Sequence, residues 1–426
     1  MTETQRLATR WQIFCWTLFD FANTAFSVIV VTTIYSRYFT NHVAGGRQWL
    51  WGLAVSLSMI LAAAISPPLG AAADATRNKK WFLLLFTLAS VLTTAMMFFV
   101  QQGMILLGVI LFVVANIGFE GGIVFYDAFL PGITPKHSYG RVSGYGFAMG
   151  YLGALAILLI VNVMLPDSSQ PDYLFFVRLS FVVAALFFLV FSIPMFVRVP
   201  EYTSGAIPRG RYISEGFQHA AKTFRSLFIN KEHPSIARFL VAFFIYNDGI
   251  LTVIAFAAIF AERVLHMTDK DIIVFFAVVQ TSAVLGSFIF GILTDKIGPK
   301  KTIMITLAMW VAIVVGAFFV QTVGEFYVVA LCAGAAIGSS QSASRSLMAL
   351  LTPREREAEF FGFYDGLCGK ASAVVGPLLY GIIADLTNER LAVMAIGLFF
   401  LAGFVILQRV EQPEWKRVTT TLPASS

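Results

Sequence analysis

Runs of about 20 mostly apolar residues recur from one end of this 426-residue chain to the other. A helix of that length crosses the hydrocarbon core of a bilayer, and it satisfies its own backbone hydrogen bonds there. Charged residues make up 13% of the chain, whereas ordinary soluble domains carry about 25%. The chain has too few charges to cover a water-facing surface, so the apolar runs predict an all-α, multi-pass membrane protein.

Twelve membrane spans can be delimited from these runs. Their predicted bounds are 11–39, 49–72, 81–100, 104–130, 144–165, 173–198, 236–265, 271–294, 302–321, 325–351, 360–385 and 391–409. The long connection 199–235 is rich in Arg, Lys, Gly and Pro, and it lacks heptads or a folded-domain pattern. We expect it to be a cytoplasmic linker between an N-terminal six-helix bundle, 1–198, and a C-terminal six-helix bundle with a short tail, 236–426.

The turn after span 8 repeats the turn after span 2. Both turns contain a glycine, an aspartate four residues later and a closing pair of lysines, at a constant offset of 221 residues from position 70 to position 291. The second copy contains Gly291, Asp295, Lys296, Gly298 and Lys300–Lys301, and the first contains Gly70, Asp74 and Lys79–Lys80. A turn repeated at about half the chain length indicates two homologous halves.

The distribution of Lys and Arg predicts how the chain is oriented. With the N-terminus assigned to the cytoplasm, 22 of the 30 basic residues fall on the inner side, six on the outer side and two within spans. We therefore expect both termini to be cytoplasmic and the protein to lie in the plasma (inner) membrane. The same bias explains the net charge of +6, which would otherwise suggest nucleic-acid binding.

Six spans, a basic loop and six further spans with a repeated Gly-x-x-x-Asp turn resemble the major facilitator superfamily. Polar segments within the spans resemble its vacuole-effluxer-like branch, whose eukaryotic members include autophagy-related amino-acid exporters. These segments are Asp20-Phe-Ala-Asn23, Tyr126-Asp127, Gly140-Arg141-Val-Ser143-Gly144, Tyr246-Asn247-Asp248, Ser344-Arg345-Ser346 and Tyr364-Asp365. The resemblance implies two six-helix bundles related by a pseudo-twofold axis along the membrane normal, with spans 1, 4, 7 and 10 around a central cavity. It also implies secondary transport by alternating access.

Each of the four spans implied to line the cavity carries intramembrane charge, at Asp20, at Glu120 and Asp127, at Asp248 and at Arg345. A charge inside a bilayer costs about 2.5–3.5 kcal/mol on insertion scales, so each of these charges needs a physical reason. Carboxylates could bind the ammonium group of a zwitterion and Arg345 its carboxylate, and a buried carboxylate could exchange a coupling proton. The alternative is that these side chains are struts that hold neighbouring helices together.

The predicted substrate-binding and coupling residues are Asp20, Asn23, Glu120, Asn247, Asp248, Arg345, Tyr364 and Lys370. Asp365 and Lys370 are five residues apart, which places them about 140° apart around an α-helix, so we expect no direct pair between them. Lys370 must then find a carboxylate on another span or face the cavity.

A second set of residues is predicted to gate the cytoplasmic side. Its members are Gly70, Asp74, Asp127, Arg141, Gly291, Asp295, Lys296, Gly298 and Asp365. Asp74 and Asp295 are expected to meet helix N-termini, whose partial positive charge attracts carboxylates. Such contacts would latch the outward-facing state.

The sequence contains no Ser-His-Asp arrangement, no GxxxxGK[ST] phosphate loop and no HExxH motif, so we expect neither an enzyme nor a cofactor or metal site. We predict a monomeric secondary active transporter, driven by protons or another coupling ion, that exports a small polar metabolite. An amino acid or short peptide is the favoured cargo. The alternatives are a sugar, a nucleoside or an amphipathic drug as cargo, or a non-transporting membrane sensor or scaffold that docks a partner on 199–235.

Overall fold

The computed structural model describes residues 7–167, 169–201, 210–267, 269–373 and 375–414. Within these ranges all regular elements are helical, as predicted. Residues 1–6, the linker residues 202–209 and the part of the predicted C-terminal tail from residue 415 onward lie outside the described residues.

Eleven helices in the described part of the chain are long and apolar enough to cross a membrane. Spans 1 to 6 are Arg10–Val43, Gln48–Thr76, Lys79–Phe99, Ile105–Ile133, Lys136–Met164 and Tyr173–Arg198. Spans 7 to 10 are Pro234–Leu265, Val274–Ile297, Pro299–Phe319 and Val323–Leu351, and span 12 is Glu389–Gln408. Span 11 consists of shorter helical pieces. When it is counted as the twelfth crossing, the predicted order of twelve helical crossings is confirmed.

Span 11 changes its helical form and then breaks. Its first part, Glu357–Phe361, continues as a π-helix over Gly362–Gly369, and its second part, Val375–Leu386, begins after a turn at 372–373. Glycines disfavour an α-helix in the first part. Pro377 falls in the first turn of the second part, where the N–H that proline lacks would have had no helical partner. Span 11 is therefore divided into two half-helices, and the Gly376-Pro377 pair lies at the start of the second.

The two halves of the chain touch through glycines at the end that carries the turns 70–80 and 291–301, which we call the basic side. Span 5 packs on span 8, where a Cβ on Gly291 would lie 2.9 Å from the carbonyl oxygen of Gly140. Span 2 packs on span 11, where a Cβ on Gly70 would lie 2.6 Å from the carbonyl carbon of Ala358. Helices approach this closely only where small residues face each other. Equivalent spans of the two halves therefore close the basic side in the same way.

The second part of the predicted linker is helical. A linker helix, Gly210–Phe224, continues as a π-helical turn over Arg225–Ile229 and lies along span 2. Its buried positions recur every three or four residues, at Gly216, Ala220, Thr223 and Leu227, so one helix face packs on the protein. This helix was not predicted because its apolar residues alternate with Lys, Arg, Gln and His, and the segment does not form an apolar run.

Candidate functional site

Arg345 on span 10 is 1% exposed and lies between two carboxylates from the other half of the chain. Its Nη1 donates to Asp127 Oδ1 at 2.7 Å and lies 3.3 Å from Asp20 Oδ2. We call Asp20, Asp127 and Arg345 the arginine triad. Charge-assisted hydrogen bonds in a low-dielectric interior are strong, so the triad ties spans 1 and 4 to span 10.

The remaining donors of the Arg345 guanidinium are also used. Nε donates to Ser143 Oγ at 2.9 Å, and Nη2 donates to the Ser143 carbonyl oxygen at 2.8 Å. The guanidinium lies over the ring of Phe147, 4.1 Å from its centroid, in a cation–π contact. A Cβ on Gly146 would lie 2.7 Å from Nη2, so this glycine leaves room for the side chain. In this conformation Arg345 is occupied by protein groups, as the strut alternative requires.

Lys370 on span 11 forms a second triad across the two halves. Its Nζ makes a short ion pair with Glu120 of span 4 and lies 3.2 Å from Asp365 Oδ2 on its own span. We call Glu120, Asp365 and Lys370 the lysine triad. Its side chains are 9–20% exposed, so this triad is more open than the Arg345 side chain. Of the two possibilities left open for Lys370, the structure shows a carboxylate on another span.

The expectation that Asp365 and Lys370 do not pair is wrong. That expectation assumed α-helical geometry, whereas Gly362–Gly369 is a π-helix. A π-helix forms hydrogen bonds from residue i to residue i+5, which brings residues five apart onto one face. The same geometry places Asp365 in the lysine triad, although its sequence position grouped it with the gate.

Each triad contains two carboxylates and a single cation. With both carboxylates ionised, each would carry one uncompensated negative charge inside the membrane, which is energetically costly. A proton or a cationic group on a bound molecule would supply the missing positive charge.

Asp248 and Asn247 of span 7 lie against the break in span 11. Both carboxylate oxygens of Asp248 accept the backbone N–H of Gly376, at 2.9 and 3.0 Å, in the first turn of the second half-helix. Asn247 Nδ2 donates to Ser372 Oγ at 2.7 Å, in the turn between the half-helices. Asp248 thus caps a helix N-terminus, the position where carboxylates are favoured. This geometry matches the structural alternative for Asp248, and the binding role of both residues stays a prediction.

Asn23 and Tyr364 are both buried. Asn23 is 5% exposed and lies one helical turn from Asp20 on span 1. The Tyr364 ring packs on Phe243, with 4.3 Å between ring centroids, and stacks on Phe239 at 5.9 Å. The substrate-binding role of Asn23 and Tyr364 stays a prediction.

The two predicted latches occupy equivalent places in the two halves. Asp74 near the end of span 2 accepts the backbone N–H groups of Ala358 at 3.1 Å and Glu359 at 2.8 Å, where span 11 begins. Asp295 near the end of span 8 accepts the backbone N–H of Arg141 at 3.2 Å, near the start of span 5. Both expected contacts with helix N-termini are present. Each contact joins one half of the chain to the other on the closed basic side.

Charged side chains support each latch. Lys79 Nζ lies 2.8 Å from Glu357 Oε2 and 3.7 Å from Asp74 Oδ1, so it bridges the first latch. Arg141 Nε lies 3.3 Å from Asp295 Oδ2 and adds an ion pair to the second. Each latch therefore combines backbone N–H donation with a cationic side chain.

The other predicted gate residues shape or flank these turns. Gly298 has a φ of 92°, a conformation that favours glycine, and it leads directly into Pro299 at the start of span 9. Gly70 and Gly291 permit the close packing of spans described above. Lys296 is exposed on the basic side.

Tyr126, Ser143 and Gly146 complete the arginine triad, but no site role was predicted for them. Besides the contacts of Ser143 and Gly146, the Tyr126 hydroxyl donates to Asp20 Oδ2 at 2.8 Å. A signal in the sequence was that Tyr126 and Ser143 belong to the family-like segments that contain Asp127 and Arg141. That signal does not distinguish a residue that packs helices from one that contacts a charge.

Comparisons with known proteins are consistent with this arrangement. Residues 51–418 match the model of a family described as vacuole effluxer Atg22-like. The chain is 30% identical over 414 residues to an uncharacterized MFS-type transporter, YxiO, of Bacillus subtilis, and the match covers 93% of this chain and 94% of that protein. It is 24% identical to autophagy-related protein 22 of Yarrowia lipolytica, over 81% of this chain and 74% of that protein.

The structure is also similar to the crystal structure of the human organic anion transporter MFSD10 (TETRAN). The TM-score is 0.75 at 14% identity, and the match covers 94% of this chain and 99% of that one. At this identity the likeness shows the fold alone. The fold is the predicted arrangement of twelve helices in two six-helix bundles.

Proposed function

The chain belongs to the vacuole effluxer Atg22-like family of major facilitator transporters, and we propose that it exports a small zwitterionic metabolite in exchange for protons. It is a multi-pass membrane transporter of a small molecule and not an enzyme. An amino acid or a short peptide is the cargo that we propose.

The charge balance of the lysine triad is the observation that carries this proposal. Glu120 and Asp365 present two carboxylates to the single ammonium group of Lys370. The triad joins spans 4 and 11, and it is more open than the buried guanidinium of Arg345. One proton or the ammonium group of a zwitterion would complete the charge balance. Because both would use the same place, occupancy by one excludes the other, which is the condition for exchange.

The substrate ammonium group would take the place of Lys370 beside Glu120, with Asp365 next to it. Since the ion pair between Lys370 and Glu120 joins the two halves, its replacement would weaken the contact between them. Binding would thereby be coupled to movement of the halves, as alternating access around a midplane site requires.

The gate that we propose consists of the arginine triad and the two latches. These contacts join the halves on the basic side, and their geometry supports an outward-facing conformation. We propose that bundles 1–198 and 236–426 rock against each other as a monomer, connected by 199–235. The excess of Lys and Arg on the basic side supports a cytoplasmic position for that side and for both termini. We place the protein in the plasma membrane.

Reconstitution into vesicles tests the cargo and the coupling. Vesicles that contain the protein are loaded with a pool of labelled amino acids, short peptides, sugars and nucleosides. Efflux is then measured with and without an inward proton gradient. We expect efflux of zwitterions to be accelerated by the gradient. Glu120→Gln should transport without responding to it, because its side chain no longer binds a proton.

The control is Glu411→Gln, which removes an exposed carboxylate outside the spans and should respond as the unmodified protein does. Efflux that ignores the proton gradient would remove proton coupling from the proposal. Preference for a sugar or nucleoside would replace the cargo, and absence of protein-dependent flux for the whole pool would favour a sensor or scaffold.

A further inference from the structure

The linker helix, Gly210–Phe224, has an exposed apolar face in addition to its buried one. Phe217 and Phe224 are 51% and 45% exposed, and Ala221 between them is exposed as well. At about 100° per residue, these positions lie roughly a quarter turn from the buried face. We call Phe217, Ala221 and Phe224 the apolar face of the linker helix.

A polar face lies next to the apolar face, on the side away from the protein. It contains the exposed residues Gln218, Lys222 and Arg225. One side of the helix therefore contacts protein, the next is apolar and the third carries positive charge. Three such sides are typical of a helix at a membrane surface beside a protein, with basic residues at the level of the lipid headgroups.

The linker helix lies where lipid would otherwise contact span 2. Earlier in span 2 the residues on one helix face are exposed, namely Trp49, Leu53, Leu57, Ile60 and Leu61. Pro68 and Ala72 continue the same face but are buried. They are buried because Gly216 packs there, with its Cα so close that an added Cβ would contact the Pro68 carbonyl oxygen and lie 3.4 Å from Ala72 Cβ.

The contact with Pro68 lies within the length of the span and not beyond its end. Span 2 ends at Thr76, eight residues later, which corresponds to about 12 Å of helix. A helix that replaces lipid at this depth has lipid on its next free side. The apolar face thus continues the lipid-facing surface of span 2.

We propose that the linker helix is an interfacial helix that is embedded in lipid through Phe217, Ala221 and Phe224 and binds anionic phospholipid headgroups through Lys222 and Arg225. The apolar surface matches acyl chains, and the two cations match phosphate-bearing headgroups with net negative charge. No docking partner of protein nature is needed to cover this face.

The proposed lipid surface adjoins the first latch. Thr223, on the buried face, donates to Glu359 Oε1 at 2.6 Å and accepts from Arg356 Nη2 at 2.5 Å. The backbone N–H of Glu359 in turn donates to Asp74. The linker helix therefore contacts span 2 of one half and the start of span 11 of the other, so bound lipid would lie beside the contact that closes the basic side.

Fluorophores attached to single cysteines test the position of the helix in full-length protein in bilayers. The background is Cys332→Ser, because Cys15 and Cys368 are buried. Labels are placed at Phe217→Cys and Phe224→Cys, with Gln218→Cys as the matched control on the polar face and Leu53→Cys as a lipid-facing reference. Quenching is measured with phospholipids that carry a spin label on the acyl chain and with aqueous iodide.

We expect the labels at 217 and 224 to be quenched by the spin-labelled lipid as at 53 and protected from iodide, with the opposite result at 218. Equal iodide quenching at 217, 224 and 218 would overturn the proposal, because the apolar face would then contact water. Protection from both quenchers would also overturn it, since a second copy or another protein would cover the face.

Headgroup preference is measured with the same labels. Spin-labelled phosphatidylglycerol should quench the label at 224 more strongly than spin-labelled phosphatidylcholine. Lys222→Gln with Arg225→Gln should reduce that preference by about thirtyfold, because each of the two basic residues contributes about fivefold to binding of an anionic surface. An unchanged preference, or equal quenching by both lipids in the unmodified protein, would refute the headgroup site. No transport is measured, so the result does not depend on the proposed cargo.

Discussion

Asp365 and Lys370 form an ion pair of 3.2 Å although they are five residues apart on one membrane span. The π-helix over Gly362–Gly369 turns both side chains to the same side, where Glu120 of the other half also meets Lys370. Local helix geometry in span 11 thus assembles a charge cluster between the two halves. The same span then breaks and restarts at a capped half-helix, so several functional hypotheses converge on it.

Gly366 in the π-helix is expected to tolerate no side chain. A Cβ there would lie 2.7 Å from Ser66 Oγ on span 2, whereas a Cβ on Gly381 in the second half-helix would meet no atom within 4 Å. Gly366→Ala should destabilise the protein by about 1–3 kcal/mol through overpacking and should slow transport. Gly381→Ala is the matched control, and it should be neutral or stabilise by up to about 1 kcal/mol. Thermal unfolding and efflux rates measure both, and equal behaviour of the two variants would contradict the close contact of spans 2 and 11.

Asp248 is expected to behave as a helix cap. Asp248→Ala removes the acceptor for the Gly376 N–H and should lower stability by about 1–2 kcal/mol. Asp248→Asn keeps one acceptor oxygen, so it should retain most of the stability and the transport activity. The measurement is thermal unfolding combined with efflux under a proton gradient. If Asp248→Asn is stable but no longer responds to the gradient, Asp248 is a coupling residue as the sequence predicted.

Asp74 and Asp295 are both expected to be required for full closure of the basic side. Asp74→Ala and Asp295→Ala should each cost about 1 kcal/mol, the typical value of a helix cap, and so change the ratio of closed to open molecules roughly fivefold. Spin labels at the exposed positions Arg77 and Glu355 report the distance between the halves. We expect a larger population at long distance in both variants, without loss of substrate affinity. Weaker binding with an unchanged distance distribution would count against the gate.

The geometry of Arg345 is expected to matter as well as its charge. Arg345→Lys keeps the charge but cannot bind Ser143, Asp20 and Asp127 together, because lysine lacks the planar fork of donors. It should destabilise the protein by about 1–3 kcal/mol, because the buried oxygen atoms of Ser143 lose their donors. Asp127→Asn retains an acceptor and balances the charge of the triad, so its effect on thermal unfolding should be much smaller. A larger loss of stability in Asp127→Asn than in Arg345→Lys would show that Asp127, and not Arg345, is the centre of the cluster.

Much of the architecture could be predicted from the sequence because it depends on local composition. The length of an apolar run decides whether a helix crosses the bilayer, and the repeated turn places the second half relative to the first in the chain. The high cost of charge in lipid also indicated in advance that Asp20, Glu120, Asp127 and Arg345 need partners. The contacts of Asp74 and Asp295 with helix N-termini followed from the same kind of reasoning, since a helix end carries partial charge wherever it lies.

The pairing of these charges and the place of the linker helix were decided by the tertiary structure alone. Arg345 is 218 residues from Asp127 and 325 residues from Asp20, and only the packing of one half on the other brings their side chains together. The pair between Asp365 and Lys370 depends on the change from α-helix to π-helix in span 11. This change rotates the later side chains of the helix, and the hydropathy of the sequence does not reveal it. Sequence therefore determined which groups could not remain alone in a membrane. The three-dimensional approach of the helices determined which groups became their partners, because electrostatic contacts depend on distances of a few ångströms that hydropathy does not encode.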